Sequence, residues 1–158
     1  ITALAAMSHF PAPVSEPVHE DWTRVLVEDW EWVFRMRGTE YRIFVPAGVR
    51  YEPSIPTPVE GVIPADRLEP ASLPHDVLYK LQGQLDRPEY DVLASRWQGK
   101  WHRRPTVSRR YADDLFRLIL EELGVASWRV WLAYKAVRWF GRPAWDEADD
   151  FQLPKQLY

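Results

Sequence analysis

The sequence predicts an α+β fold in which a small antiparallel β-sheet precedes about three packed helices. Between Trp30 and Val45, apolar and polar residues alternate on both sides of Gly38, as in a β-hairpin with one buried face. Farther along the chain, apolar residues recur at helical spacing in segments that begin at Ser108 and Ala126. Strands followed by helices, rather than alternating with them, are typical of α+β domains.

Composition limits the classes of function. A chain of 158 residues, 46% of them hydrophobic, is long enough to bury a core as one domain. The net charge of −3 argues against a general nucleic-acid-binding protein, which is normally basic. The absence of cysteine excludes disulfides, zinc–thiolate sites and thiol nucleophiles. No apolar run approaches the roughly 18 residues that indicate a transmembrane segment.

Three regions differ in pattern. Residues 1–20 contain three prolines and little periodicity, which predicts an extended arm that lies across another chain. Residues 21–145 form the predicted domain, with the sheet within residues 22–45, where a strand at Arg24–Val27 would add to the hairpin. Residues 146–158 are an acidic and polar tail.

The middle of the chain is rich in proline. Pro46–Pro74 holds seven of the fourteen prolines and predicts a crossover without long regular structure. A short helix follows, with Ser72 as the candidate N-cap and an end near Gly83. Gly83–Val107 predicts a polar loop, and the last two helices begin at the N-cap Ser108 and near Ala126.

Two aromatic and basic segments suggest partners. Arg96–Arg104 interleaves aromatic and cationic residues, a pattern found at single-stranded nucleic acid and anionic membrane surfaces but also in ordinary exposed loops. Because the chain is acidic overall, nucleic acid is not the expected partner. The last helix carries aromatic residues on more than one face, so a lipid surface or a partner protein would each suit it.

The candidate chemical centre lies on two predicted helices. His75 and Tyr79 are four residues apart and share a helical face, whereas Asp76 is rotated by about 100°. On the later helix Asp113 lies at the edge of the apolar stripe and Asp114 on the opposite, solvated side. We therefore expect a hydrogen bond between His75 and Asp113, and an exposed Asp114.

This arrangement allows two interpretations. A histidine oriented by a partly buried carboxylate can act as a general base, and Asp76 could then bind a hard cation such as calcium. Alternatively, His75 and Asp113 form a structural pair between two helices, and Asp76 is a charge favoured by the dipole at a helix start.

The motifs His75-Asp76-x-x-Tyr79 and Ala112-Asp113-x-x-Phe116 resemble the pattern of phospholipase A-two, especially the short form within parvovirus capsid proteins. The resemblance implies that His75 activates a water, Asp113 orients His75, Tyr79 supports the pair and Asp76 ligates calcium. The glycine-rich calcium loop of that family has no counterpart in Pro46–Pro74.

A broader resemblance spans roughly residues 24–145. Six motifs in order are similar to a phage- and prophage-associated family, domain of unknown function 1353: a strand, Val45–Gly48, Ser54–Pro56, His75–Tyr79, Arg109–Phe116 and Ala136–Trp145. Glu52 stands near the position of an aspartate in that family, which makes it a second candidate metal ligand.

The broader resemblance implies a tailed-phage origin. It favours a virion-associated structural or accessory protein that contacts other virion proteins or copies of itself, formed in the host cytoplasm and then carried in the virion. The predicted arm, the abundant tryptophan and the poor calcium loop make this the preferred interpretation. The alternative is a His–Asp hydrolase acting on phospholipid or another ester during entry or lysis.

Overall fold

The structure, a computed structural model, describes residues 10–18, 23–53, 61–86 and 91–146. Two small antiparallel sheets and a group of helices confirm the predicted α+β class. In chain order the elements are β1 (Ser15–Pro17), β2 (Arg24–Leu26), β3 (Trp30–Met36), β4 (Thr39–Val45), β5 (Arg50–Tyr51), α1 (Ala65–Lys80), β6 (Leu93–Trp97), β7 (Lys100–Arg103), α2 (Arg109–Glu122), α3 (Ser127–Phe140) and α4 (Arg142–Asp146).

The predicted hairpin is present and forms half of the larger sheet. Strands β3 and β4 pair from Trp30 opposite Val45 to Met36 opposite Thr39. The turn places Arg37 and Gly38 at positive φ, a conformation that suits the twist of a two-residue hairpin loop. The strand predicted near Arg24 also forms, but as β2 it joins β1 and β5 in a separate sheet.

The prediction of a polar loop from Gly83 to Val107 is wrong. Strands β6 and β7 form a second hairpin there, and β6 pairs with β4 through Leu93 opposite Ile43. Its turn has positive φ at Gln98 and Gly99. Only the first three of the five residues of β6 are buried. The rest of the hairpin is mostly exposed, and its polar sequence therefore resembled that of a loop.

The prediction that Pro46–Pro74 lacks long regular structure is also wrong. Helix α1 begins at Ala65 and contains Pro70 and Pro74, both buried. Each proline removes one helical hydrogen bond, a cost that apolar packing on the core offsets. Ser72 is consequently not an N-cap, and its Oγ instead donates a hydrogen bond to the Leu68 carbonyl at 2.7 Å.

The described part of the predicted arm packs on its own domain. Phe10 is buried against Trp30 and Trp32, with ring centroids 5.5 and 5.0 Å apart. Strand β1 then pairs with β2 in antiparallel register. The expectation that residues 1–20 lie across another chain is therefore corrected for residues 10–18. Residues 1–9 and 19–20, and the predicted tail after Asp146, lie outside the described residues.

The helices pack with α2 between α1 and α3. Ser108 caps α2 as predicted, since its Oγ accepts a hydrogen bond from the Tyr111 amide at 3.0 Å. The apolar face of α2, including Leu115 and Ile119, is fully buried. Among the described residues no helix is both long and apolar enough to cross a bilayer.

Candidate functional site

Asp113, in the first half of α2, is the centre of the candidate site. Its side chain is 0% exposed. Oδ1 faces His75 Nε2 at 2.9 Å and accepts a hydrogen bond from the Tyr79 hydroxyl at 2.5 Å. Helix α1 presents both partners because they are one turn apart on the same face. The structure thus brings His75, Tyr79 and Asp113 together as the sequence predicted.

The other oxygen of Asp113 binds two arginines. Oδ2 accepts from Arg138 Nη1 at 2.7 Å and from Arg109 Nη1 at 3.5 Å. Arg109 also donates to the carbonyls of Val137 at 2.9 Å and Arg138 at 3.1 Å, near the end of α3. One buried carboxylate therefore ties α1, α2 and α3 together.

Sequence reasoning did not identify the two arginines as partners of Asp113. A signal was available for Arg109, which precedes Asp113 by four residues and so shares its helical face. Arg138 lies 25 residues away on another helix, and only the packing of α3 against α2 brings it to the carboxylate.

The groups around Asp113 determine its ionisation state and the tautomer of His75. Burial alone would raise the pKa of this carboxyl, but hydrogen bonds from His75, Tyr79 and Arg138 hold it below its ordinary value. Asp113 is consequently ionised at neutral pH and can only accept. The proton between His75 and Asp113 then resides on Nε2, which leaves Nδ1 as the nitrogen that can receive a proton.

Tyr79 acts as a fixed donor. Burial, then its hydrogen bond to Asp113, raises the pKa of this phenol well above its ordinary value. The hydroxyl therefore keeps its proton across the physiological range. Its ring also packs edge-on against Trp145 with centroids 5.2 Å apart.

The His75 ring is held between aromatic neighbours. Its centroid lies 4.2 Å from that of Tyr79 and 4.8 Å from that of Phe116. These contacts restrict rotation of the ring. The side chain remains 13% exposed, so it is not fully buried in the core. A histidine with one nitrogen fixed on a carboxylate and part of its surface open to solvent can exchange protons with water.

The described residues do not assemble a calcium site around Asp76 and Glu52. Asp76 Oδ2 lies 3.3 Å from the Lys80 ammonium and accepts from the Glu52 amide at 3.1 Å, while Glu52 itself is exposed. Burial raises the Asp76 pKa, and Lys80 and the Glu52 amide offset only part of that rise. Among the described residues no group of three or more His, Cys, Asp or Glu side chains is placed to hold a metal. These residues do not fit calcium, and no step proposed below involves it.

Asp114 points away from His75, as expected, but it is not exposed. Its carboxylate accepts from the Tyr134 hydroxyl at 2.7 Å and pairs with Arg37. The side chain is mostly buried between α3 and the β3–β4 turn. The expectation of an exposed Asp114 is wrong because a helical wheel shows only the direction of a side chain, and here α3 covers that direction.

The basic segment Arg96–Arg104 is partly neutralised by neighbouring carboxylates. Arg96 pairs with Glu40 at 3.3 Å. Arg103 pairs with Asp86 at 3.1 Å and with Asp91 at 3.0 Å. These ion pairs weaken the case for a surface that binds nucleic acid.

Comparison with protein families identifies the chain. The family described as "Protein of unknown function (DUF1353)" matches residues 26–137. The chain belongs to this family. The DUF1353 match runs from the end of β2 through most of α3 and includes His75, Tyr79, Arg109 and Asp113, while Arg138 follows its last residue. No curated protein and no solved structure matches the chain.

Proposed function

We propose that this chain is a metal-independent ester hydrolase in which His75 is the general base and Asp113 holds it in position. The observation that carries the proposal is the 2.9 Å contact between His75 Nε2 and Asp113 Oδ1, with the Tyr79 hydroxyl on the same oxygen. This contact fixes both the orientation and the tautomer of the imidazole. The substrate class is phospholipid or another carboxylic ester, as the resemblance to phospholipase A-two implies.

The proposed reaction needs only proton transfer and water. Nδ1 of His75 takes a proton from a water molecule as the water oxygen forms a bond to the ester carbonyl carbon. Ionised Asp113 stabilises the resulting imidazolium. When the tetrahedral intermediate collapses, the bond to the leaving alkoxide breaks and the imidazolium returns the proton to it. The products are a carboxylic acid and an alcohol, and the histidine is regenerated.

The test is turnover of a short-chain soluble ester and of phospholipid vesicles by purified full-length protein. His75→Ala should lower kcat by roughly 10²–10⁴, the usual contribution of a general base. The matched control is His102→Ala, because His102 lies on the exposed strand β7 and contacts only Trp97 among the rings described. It should retain wild-type turnover.

Two further results would strengthen or overturn the proposal. Tyr79→Phe removes one donor to Asp113 and should lower turnover less than His75→Ala does. If wild-type protein shows no hydrolysis of either substrate, or if His75→Ala and His102→Ala are equally active, the hydrolase proposal fails.

A second candidate is that the pair is architectural and the chain is an accessory component of a tailed-phage particle. The observation in its favour is the pair of arginines on Asp113 Oδ2, since two cations reduce the charge available to stabilise an imidazolium. The phage setting rests on the resemblance of ordered motifs. The packing of residues 10–18 on their own domain removes the arm as support for this role.

The effect of His75→Ala on melting temperature and on ester turnover distinguishes the two candidate functions. If the pair is architectural, His75→Ala lowers the melting temperature while no ester is turned over by any variant. If it is catalytic, the same substitution removes activity that wild type possesses.

A further inference from the structure

Helix α3 carries an exposed aromatic face opposite the face that packs on the core. Trp128, Trp131 and Trp139 are 58%, 50% and 66% exposed. Together with Lys135 they lie within an arc of about 80° at the helical rotation of about 100° per residue. We call these four residues the tryptophan face. The buried residues of the helix lie outside this arc: Val130, Ala133, Ala136 and Val137.

The charge of α3 has a single sign. Its charged residues are Arg129, Lys135 and Arg138, and it contains no carboxylate, although the whole chain has a net charge of −3. The Lys135 ammonium lies 6.0 Å from the Trp131 ring and 5.7 Å from the Trp139 ring. The Arg129 guanidinium lies 4.6 Å from the Trp128 ring. Cations are therefore held directly beside the exposed rings.

We propose that the tryptophan face docks on an anionic phospholipid bilayer. Indole rings favour the boundary between lipid headgroups and acyl chains, and adjacent cations attract anionic headgroups. The row from Trp128 to Trp139 is about 16 Å long at 1.5 Å per residue and lies on one convex helix. A deformable lipid surface accepts three bulky rings in such a row without a preformed groove, and anionic headgroups complement a helix that carries three cations and no carboxylate.

This docking does not require that the protein hydrolyse anything. Binding can be measured without turnover, so failure of the hydrolase proposal leaves the bilayer proposal standing. Conversely, turnover of a soluble short-chain ester by variants of the tryptophan face tests the catalytic centre without a membrane.

The experiment is co-sedimentation of the full chain with vesicles of phosphatidylcholine, with or without phosphatidylglycerol. Wild type should bind the anionic vesicles, bind neutral ones more weakly and lose affinity as salt is raised. The double variant Trp131→Ala/Trp139→Ala should lose binding. Lys135→Glu should weaken it by more than the roughly fivefold expected for loss of one cation near an anionic surface, since the charge is reversed.

Matched controls lie on the β6–β7 hairpin. Trp97 is 64% exposed and Lys100 is an exposed lysine, so Trp97→Ala removes the same side chain as the single variant Trp128→Ala, and Lys100→Glu changes the net charge by the same amount as Lys135→Glu. Both should bind vesicles as wild type does, because Arg96 and Arg103 of this hairpin are already paired with carboxylates. If the double variant melts at a lower temperature, Trp128→Ala provides the same test with less change to the helix.

Three outcomes would overturn the proposal. Wild type could fail to bind anionic vesicles, or the control variants could lose as much affinity as those of the tryptophan face. The third is that the double variant leaves vesicle binding intact and instead changes the molar mass in solution, which would assign the face to a second copy of the chain.

Discussion

Arg138 Nη1 lies 2.7 Å from Asp113 Oδ2, so the end of α3 is joined directly to the carboxylate that holds His75. The contact is buried on the aspartate side and only partly exposed on the arginine side. The candidate site and the packing of three helices therefore depend on the same side chain.

The first prediction concerns this contact. Arg138→Met keeps much of the aliphatic length but leaves a buried carboxylate with one remaining arginine at 3.5 Å. The free energy of unfolding should fall by about 2 kcal/mol, less than for a fully buried pair because Arg138 is partly solvated. Urea unfolding at pH 7 measures the change. Arg142→Met is the control, since its pair with Asp146 is exposed on both sides and should matter by less than about 0.5 kcal/mol. Equal losses in the two variants would contradict the role assigned to Arg138.

The second prediction concerns pH. The folded-state pKa of Asp113 lies below the value of about 3.9 for an unfolded aspartate, so its ionisation stabilises the fold fully above that value. The contribution is lost as the pH falls from about 4 through the lower folded-state pKa. The difference in unfolding free energy between wild type and Asp113→Asn should therefore be largest near neutral pH and shrink below about pH 4. A difference that stays constant from pH 7 to pH 2 would contradict the shift.

The sequence predicted the β3–β4 hairpin and helix α2, because each depends on periodicity within a short segment. It also predicted the contact between His75 and Asp113, which lie 38 residues apart, because periodicity showed which carboxylate of α2 can face another helix. Alternation marks Trp30 and Phe34 as one buried face, and the helical stripe places Asp113 at the edge of the buried face of α2. These patterns predict the structure well because the apolar side of a strand or helix is the side that packs in the core.

What the sequence did not predict depends on contacts between distant segments. Helix α1 contains Pro70 and Pro74, and both are buried in the core. The helix propensity of the local sequence does not include this packing and therefore predicts that the prolines interrupt the helix. Arg138 reaches Asp113, and α3 covers Asp114, only after α3 has packed on α2. The metal role given to Asp76 rested on its position beside His75 and on a resemblance of motifs. Neither took account of Lys80, whose ammonium lies 3.3 Å from the Asp76 carboxylate.

The third prediction concerns the N-terminal segment. Phe10 is buried against Trp30 and Trp32, so Phe10→Ala should lower the free energy of unfolding by about 3 kcal/mol. Val14→Ala provides the control, because Val14 is about half exposed and its loss should cost less than about 0.5 kcal/mol. Chemical denaturation of both variants measures the difference. If Phe10→Ala is as stable as wild type, the packing of residues 10–18 on their own domain is wrong.

The last prediction concerns Gly83, where the end of α1 meets the segment that leads to α2. Gly83 and Gly99 both have positive φ, +68° and +76°, so alanine at either position bears the left-handed strain of roughly 1–2 kcal/mol. They differ in space, because a Cβ at Gly83 would lie 1.9 Å from the Val107 carbonyl oxygen, whereas a Cβ at Gly99 meets nothing within 4 Å.

Gly83→Ala should therefore destabilise the protein by about 1–3 kcal/mol more than Gly99→Ala, since the backbone at Val107 must move. That movement would disturb the hydrogen bond from the Val107 amide to the Gly83 carbonyl, 2.9 Å in length, which links α1 to the start of α2. Because those helices carry His75 and Asp113, Gly83→Ala should also lower ester turnover while Gly99→Ala should not. Thermal melts and the soluble-ester assay on both variants measure the two effects. Equal melting temperatures for the two variants would show that the close approach of Gly83 to Val107 does not constrain the fold.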